Sequence, residues 1–181
     1  MKYIVLDLEA TCWRKDKGLR TEIIEIEAVC VNDTAQIIGV FNTFVQPKLY
    51  PVLSDFCTEL TTITQNNVTN APLFPIAYQQ FLSWIEGFKD NYVLCSWGFY
   101  DKNQLIKECK LHQLDTAWLI PHISVKHQYA VIKALKRPIG MKGALELEKL
   151  SLEGLHHRGI DDARNIKKIF LAHFHKWRMP V

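Results

Sequence analysis

The stretch Lys2-Tyr-Ile-Val-Leu-Asp-Leu-Glu-Ala-Thr-Cys-Trp13 decides how the rest of the chain is read. Tyr3 to Leu6 is an uninterrupted apolar run of residues that suit strands. Apolar side chains on both faces mark a strand buried from both sides, as in the middle of an α/β sheet. Asp7 and Glu9 stand at its end. Side chains alternate along a strand, so these two carboxylates share one face and Leu8 points to the other. Two carboxylates side by side at the end of a buried strand repel each other unless a cation lies between them. An isolated D-x-E is also common as a surface pair at a fraying strand end, and the metal reading gains its weight from acids further along.

Outward from this stretch, Arg14 to Arg20 is polar and reads as a solvated loop carrying four basic residues. Glu22 to Val31 reads as a second strand, Asn32 to Thr34 as a turn, and Ile37 to Val45 as a third strand closed by Gln46-Pro47, which together suggest an antiparallel meander. Phe56 to Leu60 suits a short helix, and Thr61 to Asn70 is polar with little pattern. Helical spacing returns over Pro75 to Phe88, with Ile76, Ala77, Phe81, Leu82, Trp84 and Ile85 apolar. Tyr92 to Trp97 is a short apolar strand before Gly98, and Tyr100 to His112 is a helix. Asp115 to Ile139 holds a short strand or loop and then a helix near Gln128 to Leu135; Lys142 to Leu150 is a helix, Gly154 to Gly159 a loop, and Asp161 to about Trp177 the last helix. Three strands, helices, a strand and more helices give a mixed sheet with helices on both faces, an α/β fold, whose sites tend to lie at strand ends.

The 181 residues fit one domain, and a hydrophobic fraction of 48% is enough for a substantial core. No apolar run has the length of a membrane span, and the N-terminus enters a strand at once without a signal-peptide layout. The five cysteines are odd in number, scattered and without a C-x-x-C, which argues against a disulfide framework or zinc ribbon and fits a reducing, cytoplasmic setting. A net charge of +3 permits a polyanionic partner without demonstrating one.

Two more acids stand out by position. Asp101 opens its helix in line with Leu105, Ile106 and Cys109, and Asp162 lies in the first turn of the last helix in line with Ile166, Ile169 and His173. First-turn acids are often caps or partners of the helix dipole. Asp161 is the better cap candidate, which leaves Asp162 to be explained by burial against the sheet. With Asp7 and Glu9 these acids form a set that suits two bound cations. His157 lies five residues before Asp162 with Gly159 between them, so it belongs to a loop able to fold back over Asp162. A loop histidine beside an attacking water is a natural general base, because its pKa lies near neutrality. His156 reads as solvent-exposed, and the other histidines have no metal-site spacing. Lys167, Lys168, Lys176 and Arg178 offer charges that suit phosphates, but a solvated helix face is the default reading of such residues.

The set Asp7-x-Glu9, Asp101 and His157-x4-Asp162 resembles the DEDDh group of 3′–5′ exonucleases, which share an RNase H-like fold. Asp7-Leu-Glu-Ala-Thr11, Ser96-Trp-Gly-Phe-Tyr-Asp101 and His157-Arg-Gly-Ile-Asp-Asp-Ala163 match its three motifs in order. Glu22-Ile-Ile-Glu25, Leu53-Ser-Asp-Phe-Cys57 and Ile63-Thr-Gln65 resemble the branch of histone-mRNA and RNA-interference-inhibiting exoribonucleases. The resemblance departs at Thr62, where the branch usually has Gly, and at Phe99, where many relatives have a further acid. No SAP-type nucleic-acid-binding extension occurs in these residues, so targeting of that kind is expected to come from elsewhere or to be absent. The resemblance implies one exonuclease domain over residues 1–181 with a mixed five-stranded central sheet. It implies two Mg²⁺ ions, with Mn²⁺ as an alternative, held by Asp7, Glu9, Asp101 and Asp162. His157 would be the base, Ala10 and Thr11 would line the terminal nucleotide's site, and the products would be nucleoside 5′-monophosphates. Trp13 is then a candidate base-stacking aromatic or a residue packed on the neighbouring loop, and Trp97 a core residue. The expected partner is single-stranded RNA or a short 3′ overhang. DNA exonuclease, RNA-end-binding module and metal-dependent endonuclease are the competing readings. All five motif positions are filled, which disfavours the module, and the loop histidine disfavours the endonuclease.

Overall fold

The computed structural model describes residues 1–15, 18–154 and 159–179, with side chains for all of these except 159–161. The strand β1 (Lys2–Ala10) lies at the centre of a five-stranded sheet. It pairs antiparallel with β2 (Ile23–Val31), which pairs antiparallel with β3 (Ile37–Phe44). On its other side it runs parallel to β4 (Tyr92–Ser96), and β4 runs parallel to β5 (His122–Ser124). The order β3-β2-β1-β4-β5 is the mixed sheet that the meander and the later strands imply.

Alternation along β1 divides the core in two. Ile4, Leu6 and Leu8 face α3 (Phe74–Glu86) and α4 (Tyr100–Leu111), packing with Phe74, Phe81, Ile85, Leu105 and Cys109. Val5 faces the opposite side, where Val29 and Val93 meet α5 (Val125–Ile132), α6 (Met141–Glu148) and α7 (Gly159–Ala172) through Tyr129, Leu145, Ile166, Ile169 and Phe170. Each fully buried Ile, Leu or Phe contributes roughly 1.5–3 kcal/mol relative to exposure, so the central strand is held by apolar layers on both faces. A third cluster of Ile24, Leu53, Cys57, Ile63 and Val68 packs α1 (Asp55–Thr61) and α2 (Gln65–Thr69) beside the end of β1.

Several boundaries differ from the sequence reading, each for a local reason. The polar stretch Thr61 to Asn70 contains α2, opened by a capping box in which Thr64 and Asn67 satisfy each other's backbone. The helix expected near Gln128 to Leu135 begins at Val125, because β5 runs straight into it at Ser124, and it ends at Ile132. The last helix begins at Gly159, so Asp161 is its third residue and not its cap. It ends at Ala172 and not near Trp177. There the chain enters a 3₁₀ turn over Phe174–Lys176 that lays the Trp177 indole flat on Phe170, centroids 5.3 Å apart, with Trp177 Nε1 donating to the Phe170 carbonyl. His156 and His157 lie outside the described residues. No helix among the described residues is long and apolar enough to cross a membrane.

Candidate active site

The face of β1 that carries Val5 turns acidic towards its C-terminal end, at Asp7 and Glu9. The antiparallel register sets Glu27 opposite Asp7 and Glu25 opposite Glu9. Directly opposed residues share a face, so four carboxylates form a block on the side covered by α7. Asn42 on β3, the register partner of Glu27, donates its Nδ2 to both Glu25 and Glu27. The first turn of α7 then adds Asp162, 7% exposed. Ligand oxygens of Asp7, Glu9 and Asp162 all lie within 4.8 Å of one another.

Asp101 completes the set from the parallel side. It sits in the first turn of α4, just beyond the end of β4, is 5% exposed, and lines the same cleft as the other three acids. It stands outside the tight trio but next to Asp7, on which its charge acts more strongly than any other neighbour's. The Leu8 backbone and Ser96 lie beside its carboxylate and favour its ionised form. Ser96 is itself 3.0 Å from Nε2 of buried His122, whose pKa is pushed down to about 4 by desolvation first and by Lys102 second.

Electrostatics identify what this arrangement wants. Burial first, then the charges of Asp101, Glu9, Asp162 and Glu27, hold the Asp7 carboxyl well above the usual range. Burial and then Asp162 and Glu25 push Glu9 up to about 9. Burial raises Asp101 to about 6, even against the favourable influence of its own backbone, Ser96 and the Leu8 backbone. Carboxylates that resist ionisation because they are crowded together are neutralised by protons or by a cation. A clustered set of hard oxygen donors fits Mg²⁺ or a similar divalent ion, so the residues present fit a metal centre.

The acids form the floor of a cleft of about 570 Å³. Ala10, Cys12 and Leu60 line one side, and Trp97, Phe99, Tyr100, Lys126 and His127 the other. Phe99 is half exposed and stacks on His127, centroids 4.8 Å apart. Of the residues expected at the nucleotide, Ala10 lines the cleft. Thr11 is 2% exposed, and both its N–H and its Oγ1 bond the backbone of Glu22 where β1 meets β2. Trp13 makes a T-shaped pair with Tyr50 at 5.0 Å, which is the loop-packing arrangement. Trp97 packs against the α5–α7 cluster, as expected, and also borders the cleft.

Sequence reasoning passed over Glu25, Glu27, Lys126 and His127. The period-two pair Glu25-x-Glu27 mirrors Asp7-x-Glu9 and was a usable signal; Lys126 and His127 carried none, because only the direct β5–α5 junction brings them to the cleft. The described chain before residue 155 is tied to α7 at Glu153. Asn165 on α7 exchanges two hydrogen bonds with the backbone of Glu153, and Lys168 bonds the Ser151 carbonyl and the Glu153 carboxylate.

A mixed sheet of this order, with acids gathered at the end of its central strand and on two flanking helices, defines a nuclease of the RNase H-like fold. The chain belongs to the Exonuclease (RNase_T) family, whose pattern matches residues 4–170. The family is divalent-metal dependent. The chain is 33% identical over 192 residues to ERI1 exoribonuclease 2 of Xenopus laevis, matching 92% of this chain and 27% of that protein. It is 32% identical over 175 residues to human 3′-5′ exoribonuclease 1, matching 91% of this chain and 50% of that protein. The chain thus spans half or less of the length of these relatives. Among solved structures, the nuclease domain of 3′hExo, a DEDDh family member bound to rAMP, superposes with a TM-score of 0.94 at 28% identity, covering 99% of this chain and 96% of that one.

Proposed function

We propose that this chain is a 3′–5′ exoribonuclease that releases nucleoside 5′-monophosphates from single-stranded RNA or short 3′ overhangs. The observation that carries the reading is the trio Asp7, Glu9 and Asp162, with ligand atoms within 4.8 Å of one another and Asp101 beside Asp7 in the same cleft. Two divalent cations about 3.5–4 Å apart would neutralise charge on the attacking and leaving oxygens of an in-line displacement. Asp7 is assigned to both ions, with Glu9, Asp101 and Asp162 completing the ligands, and Mg²⁺ is the ion proposed. His157 is assigned the proton of the attacking water. Ala10 and Thr11 are assigned to the terminal nucleotide through their backbone groups, Ala10 lining the cleft, and Trp13, packed on Tyr50, is the aromatic proposed beside its base. RNA is favoured over DNA because the relatives are named exoribonucleases and one solved relative with a TM-score of 0.93 was determined in 3′-end recognition of a histone mRNA stem-loop. The five scattered cysteines, free thiols in the structure, support a reducing, cytoplasmic setting.

Asp7→Asn and Asp162→Asn test the assignment. Each is expected to abolish Mg²⁺-dependent digestion of a single-stranded RNA oligomer, while the metal-free melting temperature stays level or rises because repulsion is relieved. Retained activity with a large loss of metal-free stability would make these acids structural.

A further inference from the structure

Beyond the cleft, a second concavity of about 260 Å³ is lined by His127, Gln128, Val131, Ile132, Lys176 and Arg178. His127 borders both, so the two lie side by side. One wall is α5, where Val131 is 72% exposed. The other is the segment after α7, held in place by its backbone. Gln128 donates its Nε2 to the Arg178 carbonyl at 2.8 Å and accepts the Arg178 N–H at 2.7 Å. The Trp177 ring is fixed on Phe170, and the Lys176 N–H is bonded to His173. The segment therefore presents two exposed cationic side chains from an anchored backbone, without using those side chains to hold itself. Among the described residues, neither Lys176 nor Arg178 forms an ion pair, unlike Lys168, which is tied to Glu153.

A pair of cations on an anchored backbone beside an apolar strip suits a sugar–phosphate backbone with partly exposed bases. The acidic floor of the neighbouring cleft repels such a backbone unless metal is bound, so cationic charge along the exit path has a purpose. We propose that this groove is a second subsite, which holds the phosphates of single-stranded RNA upstream of the 3′-terminal nucleotide after the strand crosses the Phe99–His127 ledge. The proposal rests on the exoribonuclease reading and extends it to the length of strand engaged.

The test compares an RNA dinucleotide, too short to reach the groove, with a twelve-nucleotide single strand. Lys176→Ala/Arg178→Ala is expected to keep kcat/KM for the dinucleotide within about twofold and to lower it for the twelve-mer by about tenfold at 0.1 M salt. Single-strand binding changes with salt by a log–log slope of about −0.7 per phosphate neutralised, so losing two contacts should flatten the twelve-mer's slope by about 1.4. Lys176→Gln/Arg178→Gln, which keeps the side-chain bulk, should behave the same way. Anisotropy of the labelled twelve-mer in EDTA reads the groove without turnover. Equal losses on both substrates, or an unchanged salt slope, would overturn the subsite. If the wild-type protein cleaved neither RNA while the variants still weakened twelve-mer binding, the exoribonuclease reading would fail and the groove would stand.

Discussion

At the scale of single residues, the most informative departure from the family pattern is Thr62. It caps α1 at φ 61°, ψ 5°, in the left-handed region. A residue with a Cβ pays about 1–2 kcal/mol there, which explains why the related branch places Gly at this point. Thr62→Gly should therefore raise the melting temperature by a few degrees, the gain being trimmed by the added freedom of the unfolded chain. A fall in melting temperature in a thermal scan would mean that the Thr62 side chain has a stabilising role outweighing its strained backbone. His157 is assigned from its motif, five residues before Asp162. His157→Ala should slow turnover by roughly 10²- to 10⁴-fold, the usual contribution of a positioned acid–base group, and leave metal affinity measured by calorimetry in place. His156→Ala should change little; the reverse pattern would move the base by one residue. Glu22 shows a residue whose role only the fold reveals. It is quoted in the Glu22-Ile-Ile-Glu25 motif, yet its carboxylate accepts the backbone N–H groups of Lys48, Leu49 and Tyr50 and so fastens the loop after β3.

At the scale of elements, β1 and β2 carry both the core and the charge. Val5 and Val29 are buried under α7, and the same rows continue as Asp7, Glu9, Glu27 and Glu25. The pH dependence of metal-free stability follows from the raised carboxyls. A group whose folded pKa lies above its unfolded value contributes its full stability below the unfolded pKa and loses it as pH rises through the folded one. Glu9, at about 9, and Asp101, at about 6, should thus make the metal-free protein progressively less stable from about pH 4 to pH 9. Mg²⁺ should oppose that decline, with a melting-temperature increment that grows with pH across the same window. A metal increment that shrank as pH rose would contradict the repulsion described here. The Asp7-x-Glu9 half of this block was legible, because period-two alternation assigns both acids to one face. Its partner on β2 was not read, because a strand's register against its neighbour is a tertiary fact and Glu25-x-Glu27 sits in a strand buried along its whole length. The helix α2 carries no apolar period because Val68 is the one apolar residue among its five, and its signal lies in the Thr64–Asn67 capping box.

At the scale of the whole molecule, the sheet gathers acids that lie far apart in sequence. Asp7 and Glu9 come from the central strand, Asp101 from the helix after β4, and Asp162 from the helix that crosses back over β1 and β2. The helix-face positions of Asp101 and Asp162 were readable, since both acids fall in line with core residues. What joined them was the order of strands, which the early meander and the later parallel strand already implied. The groove on α5 was not readable, because Lys176 and Arg178 reach it only after the chain turns at Ala172 and clamps onto Gln128. For an enzyme of this kind, a 3′ end must enter the acidic cleft. The most direct measurement is a Mg²⁺-dependent time course on three forms of one single-stranded RNA: 5′-labelled, 3′-labelled and circular. The expected result is a 5′-labelled ladder that shortens with time, immediate release of labelled mononucleotide from the 3′-labelled strand, and an intact circle. Cleavage of the circle, or internal fragments from the 5′-labelled strand ahead of any shortening, would contradict it.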